Sequence, residues 1–313
     1  MARREDPEHL FAQASQGERQ SLARLLSLVE RSIEDAAAVS KIVFPHCGRA
    51  HSLGITGAPG AGKSTLTSAL LRCMRAAQAS VGVVAIDPSS PFTGGALLGD
   101  RVRMGDHSLD DQVFIRSMAT RGHLGGLSVA VPDAINVFDA VGFDYVVVET
   151  VGVGQVEVEV ATQTDTVIVV VNPGWGDAVQ ANKAGLMEIA DIFVVNKSDR
   201  QGAADTAAEI DRMLSMRAQQ QWRPPILSTV ATTGEGVDQL FAAIGEHRDY
   251  LQNSGEGIAR RRQRQADDLR RMVATLLAQK ADVVARGETF DGVLAQVQSG
   301  DVDPWTAAQE LLR

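Results

Sequence analysis

Gly57-Ala58-Pro59-Gly60-Ala61-Gly62-Lys63-Ser64-Thr65 sets three glycines, a lysine and two hydroxyl side chains at the spacing G-x-x-x-x-G-K-[ST]. Glycines let a backbone curl until its N–H groups point at one centre, and a helix that follows adds the positive end of its dipole. That is chemistry for holding phosphate. Lys63 is expected to reach the β- and γ-phosphates, Ser64 to ligate magnesium and Thr65 to touch the α-phosphate. A chance glycine turn before a helix would show the same letters. The flanks argue for the phosphate reading, because Ser52 to Thr56 is an apolar run fit for a buried strand and Leu66 to Met74 has helical spacing of apolar positions.

Asn196-Lys197-Ser198-Asp199 follows another apolar run and has the form N-K-x-D. A carboxylate at Asp199 can accept from both the N1–H and the exocyclic amine of guanine. Adenine offers neither donor there and would leave the carboxylate unpaired, a penalty of about 1–3 kcal/mol. Asn196 is expected to hold the loop and the base edge, and the stem of Lys197 to cover the ring. Ser228-Thr229-Val230, after the last apolar run, is the candidate loop that completes the base pocket. Four residues alone also fit a strand-end turn, but downstream of a phosphate loop they point to GTP rather than ATP.

Three acids compete for the metal and the attacking water: Asp87, opening Asp87-Pro88-Ser89-Ser90-Pro91, Asp100 in Leu98-Gly99-Asp100-Arg101, and Glu149 at the end of Tyr145 to Glu149. Magnesium prefers oxygen ligands and keeps several waters, so a few carboxylates near the γ-phosphate suffice. Helix capping or loop bracing is the alternative for any one of them. Gly152, in Glu149-Thr150-Val151-Gly152, could sense the γ-phosphate through its N–H, which would make that segment a switch. No glutamine stands in the usual water-positioning place, and slow intrinsic hydrolysis is the expectation.

These residues need a scaffold that brings strand ends together. Apolar runs at Ser52 to Thr56, Val81 to Ile86, Val113 to Ser117, Tyr145 to Glu149, Thr166 to Val171, Ile192 to Asn196 and Pro225 to Ser228 alternate with helical patterns. The pattern predicts an α/β fold with a mostly parallel sheet, whose ligands gather at the carboxyl ends of its strands. Residues 1–45 read as an N-terminal helical extension, 46–252 as the nucleotide domain and 253–313 as a C-terminal helical arm of the kind that mediates self-association. In the extension, one helical pattern runs from Pro7 to Val43, with Leu22, Leu25, Leu26, Val29 and Ile33 at helical spacing and Pro45 as its stop. In the arm, Asn253 to Gly257 marks a break before a charged helix from about Ile258 to Arg286 and two short helices around Phe290 to Gln298 and Thr306 to Leu312.

The 313 residues are 44% hydrophobic, enough for a sizeable core. A net charge of -9 argues against a general nucleic-acid binder, and the run Arg260 to Arg264 reads as a solvated helix face before a binding patch. Cys47 and Cys73 lack metal-type spacing and fit a reducing compartment. No stretch offers the roughly 20 apolar residues of a membrane span, and nothing resembles a signal peptide. The expectation is a cytoplasmic protein without a membrane partner.

Taken together, the phosphate loop, Asp87-Pro88-Ser89-Ser90, Thr93-Gly94-Gly95, Leu98 to Arg101, Arg116 to Gly122, Glu149 to Gln155 and the guanine motif resemble the MeaB/MMAA/ArgK family of G-protein chaperones. The similarity extends to Pro173-Gly174-Trp175-Gly176-Asp177, Gln180, Lys183 and Asp303 to Ala308, nearly the whole chain. The resemblance implies a P-loop NTPase fold of the SIMIBI class, bound GTP or GDP with Mg2+, and a homodimer. It also implies a partner, an adenosylcobalamin-dependent acyl-CoA mutase of the methylmalonyl-CoA, isobutyryl-CoA or 2-hydroxyacyl-CoA type, whose cofactor loading, protection or rescue the GTPase would gate. By the same resemblance the magnesium and hydrolysis residues are Ser64, Asp87, Asp100 and Glu149, while Asp177 and Lys183 fall in a segment that answers to nucleotide and contacts the mutase. Val156 stands where a serine is common, and Ser228-Thr229 where Ser-Ala is usual. The chain has no Asp-x-His-x-x-Gly segment for cobalamin, so the partner must bring it. Three other readings remain at this stage: a nickel-insertion GTPase, a transport-system ATPase or kinase, and a scaffold that binds nucleotide without hydrolysing it.

Overall fold

A computed structural model describes residues 6–87, 105–107, 109–119, 130–150, 155–175, 180–216 and 221–312. The chain divides at Gly257–Ile258 into two compact units.

The first unit begins with three helices, α1 (Pro7–Ala14), α2 (Arg19–Arg31) and α3 (Ile33–Val43). One continuous pattern thus becomes three elements, for local reasons. Asp6 caps α1 with its side chain on the Glu8 N–H, and Pro7 sits at the first turn, where no N–H is needed. Gly17, at φ +93°, breaks the chain before α2, and Ser32 caps α3 through the Asp35 N–H.

Strands and helices then alternate: β1 (His51–Gly57), α4 (Lys63–Ala76), β2 (Val81–Asp87), β3 (Val113–Ala119), α5 (Ala130–Val141), β4 (Tyr145–Glu149), α6 (Gln155–Gln163), β5 (Thr166–Val171), α7 (Gln180–Ile189), β6 (Ile192–Asn196), α8 (Ala203–Ser215), β7 (Ile226–Thr229) and α9 (Val237–Ser254). All seven predicted strands form, each within two residues of its expected ends. They make one parallel sheet in the order β3-β2-β4-β1-β5-β6-β7. Strands this apolar need cover on both faces. Leu53, Ile55 and Val147 pack with Leu66 and Leu70 of α4 and Leu240 and Ile244 of α9. On the opposite face Val84, Val146 and Val148 pack with Phe138 of α5 and with Leu25 and Leu26 of α2, so the N-terminal helices share the core of the sheet.

Polar groups brace the amino edge of the sheet. The Asp139 carboxylate accepts from the N–H groups of Arg49 at 3.0 Å and Ala50 at 2.8 Å, which fixes the entry into β1. Two histidines far apart in sequence meet at one buried hydroxyl: Thr166 Oγ1 lies 2.8 Å from His51 Nε2 and 2.7 Å from His247 Nδ1. This ties α9 to β1 and β5, and Trp222 Nε1 adds a bond of 2.9 Å to the Asp191 carbonyl.

The second unit is helical. α9 ends at Gly255, at φ +75°, and α10 (Glu256–Val284), α11 (Glu288–Ser299) and α12 (Pro304–Leu311) follow. Asp303 caps α12 by accepting from the N–H groups of Trp305 and Thr306. No described helix is long and apolar enough to cross a membrane.

Candidate functional site

Because every strand runs the same way, the tips of β2, β4, β1, β5, β6 and β7 open on one edge, and most of the expected residues stand there. Gly57 ends β1 at φ +133° with its Cα facing the Val170 backbone of β5, where any Cβ would strike the Val170 carbonyl oxygen. Gly60 and Gly62 are also left-handed, at φ +73° and +91°. Gly62 is the N-cap of α4 and offers no side-chain oxygen, so the positive dipole end of α4 stands at the loop, the arrangement that suits an anion. Pro59 and Gly60 are at the rim, and Ala61 is fully buried. Lys63 is only 6% exposed and folds over this loop, donating from Nζ to the carbonyls of Gly57 at 2.8 Å and Ala58 at 3.2 Å. Ser64 is buried beside it and Thr65 is exposed on the next position of the turn.

The guanine motif is built onto the phosphate loop. Asn196, 2% exposed at the tip of β6, donates from Nδ2 to the Ala61 carbonyl at 2.8 Å. Its Oδ1 accepts from Thr229 Oγ1 and from the Ala231 N–H, both at 3.1 Å. Lys197 takes φ +60° and sends Nζ to the Gly60 carbonyl at 2.7 Å. Asp199, on the turn that follows, stays exposed, and the Ser198 N–H bonds the Thr229 carbonyl at 3.0 Å. Beyond β7, Val230 and Glu235 pair to close the loop, and Gly236 sits so close to the Ser228 carbonyl that a side chain would collide with it. Of Ser228-Thr229-Val230, Ser228 is exposed while Thr229 and Val230 are buried, and Thr229 serves Asn196 rather than open space. Ala231 was absent from the expectation. Its contribution is a backbone N–H, which leaves no mark on the side-chain sequence.

Glu149 ends β4 and is 2% exposed. It pairs in register with Ile55 of β1, and side chains of paired residues share a face, so Glu149 lies on the α4 side of the sheet. Asp87 ends β2 beside it, placed by its backbone in register with Ala119. Lys183 lies on α7 and Val156 on α6, both described by backbone alone. Asp100, Gly152 and Asp177 lie outside the described residues. Where the chain returns to β3, Arg75 Nε donates to the Asp110 carboxylate at 2.8 Å, and that bond holds the Asp110 carboxyl below its usual range. Arg19 of α2 adds bonds to the carbonyls of Asp110, Asp111 and Val113. The N-terminal helices therefore brace the strand next to β2.

A glycine phosphate loop, a carboxylate at the adjacent strand tip and an N-K-x-D turn stapled to that loop define a P-loop GTPase. A family profile described as "Methylmalonyl Co-A mutase-associated GTPase MeaB" matches residues 22–285. The chain belongs to the MeaB family and hydrolyses GTP. It is 48% identical to a putative GTPase of Pyrococcus abyssi over 311 residues, covering 98% of this chain and 96% of that one. It is 36% identical over 214 residues to the mouse mitochondrial methylmalonic aciduria type A homolog, covering 67% of this chain and 52% of the mouse protein. A crystal structure described as a LAO/AO transport system kinase superposes with a TM-score of 0.73 at 28% identity, over 99% of this chain and 98% of that one.

Proposed function

We propose that this GTPase is a chaperone for an adenosylcobalamin-dependent acyl-CoA mutase, using GTP hydrolysis to gate cofactor loading, protection or rescue of that enzyme. The observation that supports this reading most is the family profile, whose description names a methylmalonyl-CoA mutase association and which spans the nucleotide unit. The likeness to the mouse methylmalonic aciduria protein adds to it. Within the site, Lys63 would neutralise the β- and γ-phosphates, Asp199 would read guanine, and Lys197 would lie along the base. Ser64, Asp87, Asp100 and Glu149 are the oxygen donors for Mg2+, a hard cation that such donors suit. The metal, when bound, supplies charge stabilisation at the transferring phosphoryl group. Asp177 and Lys183 belong to the segment proposed to meet the mutase.

The protein is proposed to act as a homodimer in the cytoplasm. In the helical unit, the 29-residue α10 has no buried residue, and Leu269, Met272, Val273, Leu276 and Val283 are exposed at helical spacing. Such a stripe suits a second copy, and sedimentation velocity at micromolar concentration should show a dimer.

The deciding experiment is GTP turnover by the pure protein, alone and with several adenosylcobalamin-dependent acyl-CoA mutases. Slow basal turnover strongly accelerated by one of them is expected. No acceleration by any would end the chaperone reading. A second reading, a transport-system kinase, is suggested by the description of the superposing structure. It requires ATP and transfer to an acceptor, so ATP outcompeting GTP would favour it.

A further inference from the structure

Two hydroxyls meet at the tips of β1 and β4, on the face of the sheet opposite α4. Thr56 is fully buried and Thr150 is 1% exposed. Thr150 Oγ1 donates to Thr56 Oγ1 at 3.2 Å, and the Thr150 N–H bonds the Ile55 carbonyl at 3.1 Å. The ladder between the strands therefore continues one residue past Glu149, first through the backbone and then through the side chains. Side chains alternate along a strand, so Glu149 faces α4 and Thr150 faces the opposite layer. There α6 packs onto β1 so closely that a side chain at Gly54 would collide with Val160 and Thr164.

We propose that the Thr150 hydroxyl is a positioning group for GTP hydrolysis, fixing the Glu149-Thr150 end of β4 against the strand that feeds the phosphate loop. The proposal rests on Glu149 acting at the site, as argued above. Its physical content is a short path. Thr56 precedes Gly57, whose carbonyl holds the Lys63 ammonium, and Thr150 follows Glu149. One hydroxyl pair thus sets the spacing between the strand bearing the acid and the loop bearing the lysine. A valine at either position would keep the volume and the burial, so packing alone does not require two hydroxyls. Since the pair lies on the face away from α4, losing it should disturb where Glu149 stands more than how tightly nucleotide is held.

The test uses the full-length protein in single-turnover GTP hydrolysis, with dissociation constants for GTP and GDP measured in parallel. Thr150→Val should slow hydrolysis about tenfold, the order of one lost hydrogen bond, while both dissociation constants stay within about twofold. Thr150→Ser, which keeps the hydroxyl, should hydrolyse within about twofold of the wild type. Thr56→Val should reproduce the defect, and combining the two valines should add little to either alone. Wild-type hydrolysis in Thr150→Val overturns the proposal. So does an equal defect in Thr150→Ser, which would mean that packing matters and the hydroxyl does not, or a loss of affinity that matches the loss of rate. If Thr150→Val does not fold, Thr56→Val decides alone, and wild-type hydrolysis there is equally fatal. Glu149→Gln, run alongside, separates the two layers of argument. Unchanged hydrolysis in that variant removes Glu149 itself, whereas a slow Glu149→Gln beside a normal Thr150→Val removes only the role of Thr150.

Discussion

Asn196 is the residue on which the phosphate loop and the base loop depend together, and replacing it gives a prediction whose size follows from the structure. Asn196→Ala removes the donor to the Ala61 carbonyl and the acceptor shared by Thr229 Oγ1 and the Ala231 N–H, all three bonds buried. A buried bond contributes about 1 kcal/mol net, and a donor left unpaired costs about 1–3 kcal/mol. The three bonds alone give about 3 kcal/mol of lost stability, so the urea midpoint should fall by at least roughly 1 M at an m-value of about 3 kcal/mol/M. The loops lose their mutual restraint at the same time, so GDP should bind at least about tenfold more weakly, equivalent to one further bond. Asn196→Asp is the sharper probe. It keeps an acceptor for Thr229 and Ala231 but sets a second oxygen against the Ala61 carbonyl. Urea unfolding followed by circular dichroism, with fluorescent GDP titration, measures both effects. An Asn196→Asp protein with wild-type midpoint and wild-type GDP affinity would refute the account of this junction.

Lys63→Ala should abolish hydrolysis and weaken nucleotide binding; full activity in a turnover assay would mean that the loop is misread. Asp199→Asn should reduce preference for GTP over ATP, and competition between the two nucleotides reads this directly. Cys47 has its pKa pushed up to about 12 by burial, with the Asp139 carboxylate adding to the effect. Its thiol should therefore alkylate at pH 8 about a thousandfold more slowly in the folded protein than in urea, and mass spectrometry of iodoacetamide-treated protein checks it. The Asp110 carboxyl, held low chiefly by the hydrogen bond from Arg75, contributes stability above its unfolded pKa and loses it as pH falls through the lower folded value. Arg75→Ala should then reduce the loss of stability on acidification below about pH 4, seen in thermal melts across that range.

The sequence alone determined the elements and the chemistry that is written in side-chain types at short range. Seven apolar runs became seven strands because a strand buried on both faces needs an unbroken apolar run, a local property. The phosphate loop was legible for the same reason: its glycines are needed at fixed offsets, and Gly57, Gly60 and Gly62 all take left-handed geometry. Caps such as Asp6, Ser32 and Asp303 likewise act within three residues, although Gly17 and Ser32 divided a helical pattern that periodicity alone reads as continuous.

Only the tertiary structure decided what lies across the sheet. Strand order β3-β2-β4-β1-β5-β6-β7 brings Glu149 beside Ile55 and Asn196 onto Ala61, contacts between residues 94 and 135 positions apart, which no local pattern encodes. The Ala231 N–H was invisible because a backbone donor is present at every residue except proline, and only folding chooses which one is aimed. Thr56, Thr150 and the meeting of His51 with His247 at Thr166 were equally hidden. Polar residues inside apolar runs show where a partner is required, and the register of parallel strands determines which partner that is.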